Sequence, residues 1–325
     1  MQLPFVTTSR LRGLAAALLL SSLPLASATA APITVLFVGN SFTYGDAAGG
    51  PNLVMPYNRA NVTDLNGLNI GGVPGLFKAF TTERGLSYNV SLETQPGVGI
   101  DWHYNNRLTL INQSWDHVVL QSYSTLDGAR PGNPASLIQY SGMLANLLYA
   151  KNPNVDIHLD ATWSRADQTY KPTGNWYGQS IYAMGNVVKA GYNAAAAANP
   201  HIDDVIQTGQ AWARTWETGL ADSNPYDGIT PGQIDMWAPE GYHASVYGYY
   251  MEALMFFGDI TGMDPLSIGY DQVAMDLGIS SSVALALQVL ASQTLQGVPE
   301  PETFALLFVG IAGLAFARRR DKRVA

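Results

Sequence analysis

The sequence predicts an α/β domain whose parallel sheet is covered on both faces by helices. Three observations predict it. Short apolar, β-branched runs of strand length recur, and residues 33–38 are the clearest of them. Amphipathic stretches of helical length separate these runs, the alternation that yields a parallel sheet. From residue 31 to 297 there is no linker, repeat or low-complexity break, so this span reads as one domain. The composition agrees: 47% of the 325 residues are apolar and 13% charged, enough for a sizeable core. No cysteine is present, which excludes disulfides, thiolate metal sites and a cysteine nucleophile.

The elements follow in order. The run 33–38 stops at Gly39-Asn40, a turn-forming pair, with Ser41 directly after it. A serine leaving the carboxyl end of a buried parallel strand sits where open α/β sheets place their ligands. Read alone, the same hydroxyl could simply cap a turn or a helix. Residues 46–72, rich in Gly, Pro and Asn, form a long irregular segment, better suited to a site wall than to a plain connection. A helix over 74–84 ends at Gly85. The second strand, 88–94, runs into a turn around Gly97, and a helix covers 101–110. The third strand spans 115–124 with a polar exit, and a helix occupies 136–149. The fourth strand, 155–159, leaves through 160–165; a helix over 179–198 leads to the fifth and weakest strand, 204–207. Helices over 209–220 and 245–257 flank a turn-rich stretch that carries His243, and 273–295 is helical with a break near Gly278.

Both ends carry targeting patterns. Residues 1–30 read as a secretory signal peptide: Arg10 and Arg12, an apolar core over 14–20, and small-residue cleavage sites such as Ala26-Ser27-Ala28. At the other end, Val298-Pro299-Glu300-Pro301 precedes an apolar run over 303–317 and then Arg318-Arg319-Arg320. Residues 298–325 thus resemble the PEP-CTERM sorting signal of Gram-negative bacteria. The resemblance implies Sec export, a precursor held in the inner membrane by a transmembrane helix with its arginines in the cytoplasm, and processing by an exosortase. The product would reach the periplasm, cell surface or extracellular matrix. Seven of the seventeen basic residues and three of the twenty-five acidic ones lie in the two ends, so the domain between them is near −12. Such a surface disfavours nucleic acid as a partner.

A serine becomes a useful nucleophile when a base takes its proton and an acid orients that base. Of the five histidines, His117, His158 and His201 fall where structural roles are expected. His103 follows the Gly97 turn closely enough to line a site. His243 is the best base, at the head of a helix and three residues after Glu240, with Asp235 as the alternative acid. No carboxylate pair has the setting of a glycosidase, no His/Asp group has metal-ligand spacing, and no cofactor is expected. Tyr44, Trp102, Tyr123, Trp163, Trp176, Trp237 and Tyr242 crowd the segments around these points. They could stack on sugar rings or form core.

Gly39-Asn40-Ser41, the Gly97 turn, the Val118-Val119-Leu120-Gln121 strand exit and Glu240-x-x-His243 fall in the order of the four blocks of SGNH/GDSL-type hydrolases. Over about residues 33–262 the chain resembles the carbohydrate-esterase-like branch of that superfamily. The resemblance implies a flavodoxin-like, three-layer α/β/α sandwich around a five-stranded parallel sheet. It implies Ser41 as nucleophile, His243 as base, Glu240 in place of the usual Asp, and the N–H groups of Ser41 and Gly97 as oxyanion donors. The asparagine that the third block usually supplies is missing; Gln121 is the nearest replacement and Ser124 the next. Trp102, His103 and Tyr123 would meet substrate. The activity implied is a metal-free serine esterase acting on acyl groups of extracellular polysaccharide. A lipase or thioesterase using the same site, or a surface glycan-binding protein that has lost activity, are the competing readings.

Overall fold

A computed structural model describes residues 31–47 and 49–297. The expected signal peptide and the expected sorting signal, with its transmembrane run at 303–317, lie outside the described residues. Among the described residues no helix is long and apolar enough to cross a membrane.

The chain begins with β1 (Ile33–Gly39), a single turn of helix α1 (Ser41–Tyr44), β2 (Thr63–Asp64), α2 (Gly72–Glu83) and β3 (Tyr88–Thr94). It continues through α3 (Ile100–Ile111), β4 (His117–Leu120), α4 (Ala135–Lys151), β5 (Asp156–Asp160) and α5 (Ala166–Tyr170). Then come α6 (Ile181–Ala198), β6 (Asp204–Ile206), α7 (Thr208–Glu217) and α8 (Val246–Thr261). A 3₁₀ turn (Pro265–Ile268), α9 (Gln272–Asp276) and α10 (Ser281–Leu295) complete it, and Gly278, at φ 71°, makes the expected break.

All pairings are parallel, in the order β2-β3-β1-β4-β5-β6. The five expected strands are present in the flavodoxin-like order, with β1 between β3 and β4. The sheet nevertheless has six strands rather than five. The addition, Thr63–Asp64, pairs with Ser91 and Leu92 inside the segment expected to be irregular. Two residues carry no periodicity; the Asp64 carboxylate instead fixes the turn, accepting from the N–H groups of Asn66, Leu68 and Ile70. The third expected strand is also shorter, because the chain turns away after Gln121, whose N–H still reaches Val38 O at 2.9 Å.

Alternation along β1 divides the core. Val35 and Phe37 face α2, α7, α8 and α10 in one apolar cluster, whereas Leu36 and Val38 face α3, α4 and α6 in the other. The first cluster holds an aromatic column in which Trp163 lies parallel to Trp212, with ring centroids 4.4 Å apart, and Phe42 packs on Trp163 at the same separation. Trp163, Trp237 and Trp176 are therefore core residues, not sugar-stacking surfaces.

Candidate active site

The turn after β1 is fixed on every side. Gly39 is required there: a Cβ would run into Thr43 Oγ1 and lie 2.7 Å from Gln121 Oε1. Asn40 caps α1, its Oδ1 accepting from Phe42 N at 3.1 Å. Its Nδ2 donates to Val98 O at 2.9 Å and Ser122 O at 3.1 Å, tying the turn to the two neighbouring loops. Asn40 N donates to Gln121 Oε1 at 2.9 Å, and the Tyr249 hydroxyl, reaching up from α8, donates to Ser41 O and Asp46 O. Ser41 consequently opens α1, where its N–H is one of the first-turn donors that a helix leaves unpaired.

His243 precedes α8 and meets Ser41 from the other side of the cleft. Its Nε2 lies 2.9 Å from Ser41 Oγ, and its Nδ1 lies 2.6 Å from Glu240 Oε1. The same Oε1 also accepts the backbone N–H of His243 at 3.0 Å, so one carboxylate oxygen fixes both the loop and the ring. With the ring proton on Nδ1, facing the carboxylate, Nε2 is left bare toward the serine. Asp235 does not reach the ring: it accepts from Trp237 N at 2.9 Å, and burial pushes its carboxyl up to about 6. The loop from Ala238 to His243 is closed by Ala238 N donating to His243 O at 2.8 Å and by the Tyr226 hydroxyl donating to Glu240 O at 2.7 Å.

A small pocket of about 200 Å³ opens beside these groups, lined by Asn40, Gly97, Tyr123, Ser124, Arg165 and Tyr242 among others. Gly97 has φ 66° with nothing near its missing Cβ, so backbone conformation rather than crowding calls for glycine. The Arg165 guanidinium lies 3.5 Å over the Tyr242 ring, which stacks on His243 at 4.2 Å. It is held by two hydrogen bonds to Asp167, at 2.9 and 2.7 Å. Neither Arg165 nor Tyr242 as a clamp on the base had a sequence signal beyond the aromatic abundance near His243.

Of the remaining expected site residues, Tyr123 lines the pocket and three others do not. Gln121 is almost fully buried; its Oε1 is taken by Asn40 N and the Thr43 hydroxyl, and its Nε2 donates to Ser122 O. Where an oxyanion donor was expected, these bonds make it part of the serine turn. His103 is fully buried, its Nδ1 2.5 Å from Glu93 Oε2, which pins α3 to β3 behind the Gly97 turn. Trp102 packs edge-on against His103 and under the Arg107 guanidinium. The fallback donor Ser124 does line the pocket, where its hydroxyl accepts from Arg165 Nη1 at 3.4 Å.

The last residue of β5 and one from α8 form a buried acidic pair that no local sequence pattern joins. Asp160 and Glu252 are both fully buried, and Thr208 donates to Asp160 Oδ1 at 2.6 Å. Burial pushes both carboxyls up: Asp160 to about 7 in spite of its hydrogen bonds, and Glu252 well above its ordinary range, with the Asp160 charge adding to the effect.

Fold and site together define a three-layer α/β/α protein with a Ser-His-Glu row at the carboxyl ends of its strands. Comparison with known proteins agrees with the fold. A DUF4886 family protein from Bacteroides uniformis superposes with a TM-score of 0.59 at 17% identity, covering 82% of this chain and 95% of its own. A Slackia heliotrinireducens protein described among the SGNH hydrolases gives 0.48 at 17% identity, covering 71% of this chain and all of its own. A carbohydrate esterase family 3 protein from Talaromyces cellulolyticus gives 0.43 at 15%, covering 71% and 97%. Residues 297–320 match the PEP-CTERM protein-sorting motif, so the chain carries that sorting signal. No curated protein matches the sequence.

Proposed function

We propose that this protein is an exported serine esterase that removes short acyl groups, acetyl foremost, from an extracellular polysaccharide. The hydrogen-bonded row Ser41–His243–Glu240 carries the proposal. In the reaction, His243 Nε2 takes the proton of Ser41 Oγ as that oxygen attacks the ester carbonyl. Glu240 stabilises the imidazolium that forms. The N–H groups of Ser41 and Gly97 receive the developing oxyanion, each such donor being worth about 3–4 kcal/mol of barrier. His243 then returns its proton to the leaving sugar hydroxyl, and water attacking the acyl-serine repeats the cycle.

The pocket, which adjoins the row through Asn40 and Tyr242, is small. Its volume of about 200 Å³ is below the roughly 300–1,000 Å³ usual for larger ligands, and its polar lining suits a sugar better than an alkyl chain. The C-terminal signal supports export, with the precursor held in the inner membrane by residues 303–317 until an exosortase acts near Pro299-Glu300-Pro301. Hydrolysis of p-nitrophenyl acetate, butyrate and palmitate by the purified protein tests the reading. Acetate should be fastest and Ser41→Ala inactive. A rate that rises with chain length would make it a lipase, and no hydrolysis of these esters or of acetylated polysaccharide would make it a binding protein.

A further inference from the structure

At the far end of α8 from the candidate active site, three side chains converge from three elements. His158 comes from β5, Asp204 from β6 and Asp259 from α8. His158 Nδ1 is 2.9 Å from Asp204 Oδ1 and also 2.9 Å from Asp259 Oδ2. The three ligand atoms lie within 4.8 Å of one another. One ring nitrogen carries at most one hydrogen, so it cannot serve both carboxylates fully. The Asp204 contact is a hydrogen bond, and Asp259 Oδ2 is left buried without a hydrogen-bond partner.

We infer that His158, Asp204 and Asp259 form a binding site for a first-row divalent metal ion of the zinc type. A cation seated between the three atoms satisfies both carboxylates at once and gives the orphaned oxygen a partner. Ligand atoms about 2.1 Å from a tetrahedral ion are about 3.4 Å apart, so each 2.9 Å separation has to open by only about half an ångström to admit one. One nitrogen and two carboxylate oxygens suit zinc better than calcium or magnesium, which prefer oxygen throughout.

The surroundings supply what a metal-bound imidazole requires. With Nδ1 on the ion the ring proton sits on Nε2, and His117 Nδ1 stands 3.3 Å away to accept it. The His117 ring stacks on that of His158, with centroids 5.5 Å apart. Asp204, 44% exposed, opens the site to solvent, from which water completes the coordination.

The role is structural. Asp259 lies thirteen residues into α8, about 20 Å along the helix from its start next to His243. The ion would join the edge strand β6 and the end of α8 to the sheet, holding the helix that follows the catalytic histidine. Sequence spacing gave no sign of it, because the ligands are 46 and 55 residues apart.

Zn²⁺ uptake tests the site independently of esterase activity. EDTA-treated purified protein is dialysed against micromolar Zn²⁺, and bound metal is measured by mass spectrometry beside thermal unfolding. One Zn²⁺ per chain is expected, with a higher Tm, and both effects should disappear in the Asp204→Asn/Asp259→Asn double variant. Asp204→Asn alone, on a half-exposed side chain, gives the same answer should the double variant misfold. Absence of uptake by the native protein, or undiminished uptake by these variants with native circular dichroism, would overturn the inference.

Discussion

Replacing Glu240 by glutamine separates the two things that this carboxylate does for His243. Its Oε1 accepts from His243 Nδ1 at 2.6 Å and from His243 N at 3.0 Å. The backbone N–H cannot rotate away, so in Glu240→Gln the amide oxygen must occupy the Oε1 position. Nδ1–H then keeps an acceptor, Nε2 stays bare toward Ser41, and the tautomer is preserved. What disappears is the negative charge. A hydrogen bond to a charged group is worth about 1.5–3 kcal/mol and a neutral one about 0.5–1.5, a difference of about 1–1.5 kcal/mol that acts when the imidazole is protonated. At about 1.4 kcal/mol per decade, kcat on p-nitrophenyl acetate should fall about tenfold. KM and the circular dichroism spectrum should not change. Asp235→Asn, which disturbs a turn contact to Trp237 N and not the ring, should leave kcat within about a factor of two. A loss near the roughly 10⁴ expected when the tautomer inverts would refute the anchoring argument. A larger loss for Asp235→Asn than for Glu240→Gln would refute the assignment of the acid.

Four other perturbations have definite outcomes. Ser41→Ala and His243→Ala should each lower turnover by several decades and their double variant little further, because the two groups act as a unit; a fluorophosphonate should label Ser41 and no other serine. Gly39→Ala places a Cβ against Thr43 and Gln121 and should lower the urea midpoint and the esterase rate together. The buried Asp160–Glu252 pair keeps protons that the unfolded chain releases, so stability present at low pH is lost as pH rises from about 4 to about 7. Glu252→Gln should flatten that fall in urea unfolding measured from pH 5 to 8, and an unchanged slope would place the titration elsewhere. Alanines in place of Pro299, Glu300 and Pro301 should leave the product membrane-bound, and a mature C-terminus that retains 303–323 in the unaltered protein would make this segment a permanent anchor.

The sequence made the scaffold legible wherever a physical period or a forced backbone exposed it. The strand at Tyr88–Thr94 was read to the residue, and the break falls around Gly278 as expected. Ser41, Glu240 and His243 were legible because a turn and a three-residue offset constrain them locally, and the structure brings them within hydrogen-bonding distance. Gln121 and His103 lie deeper than their loops suggest, for one reason. A side chain's position along the chain identifies the loop it belongs to but not the direction it takes, and both turn inward to satisfy buried partners, the Asn40 N–H and the Glu93 carboxylate. Asp160 with Glu252, and His158 with Asp204 and Asp259, are pairings between distant strands and a helix, which no local pattern encodes. β2 is two residues long and is set by one aspartate's hydrogen bonds, below the length at which alternation can register.

The fate of Gln121 bears on how the site divides its work. The backbone around Ser41 is held by neutral groups: the Asn40 and Gln121 amides and the Thr43 and Tyr249 hydroxyls. Neutral hydrogen bonds fix geometry without favouring one charge state of the imidazole over the other. The Ser41 hydroxyl is therefore positioned without help from a charged group. In the proposed reaction, stabilising the imidazolium falls to Glu240, while the Arg165 guanidinium above Tyr242 has its own charge offset by Asp167. An amide at position 121 that had turned to the oxyanion would have left Asn40 N without its acceptor and loosened the turn that presents the serine. In the proposed reaction the oxyanion then falls to backbone donors at Ser41 and Gly97. Changes at Gln121 should then act through the placement of Ser41, lowering stability and rate together, whereas changes at Glu240 act on rate alone.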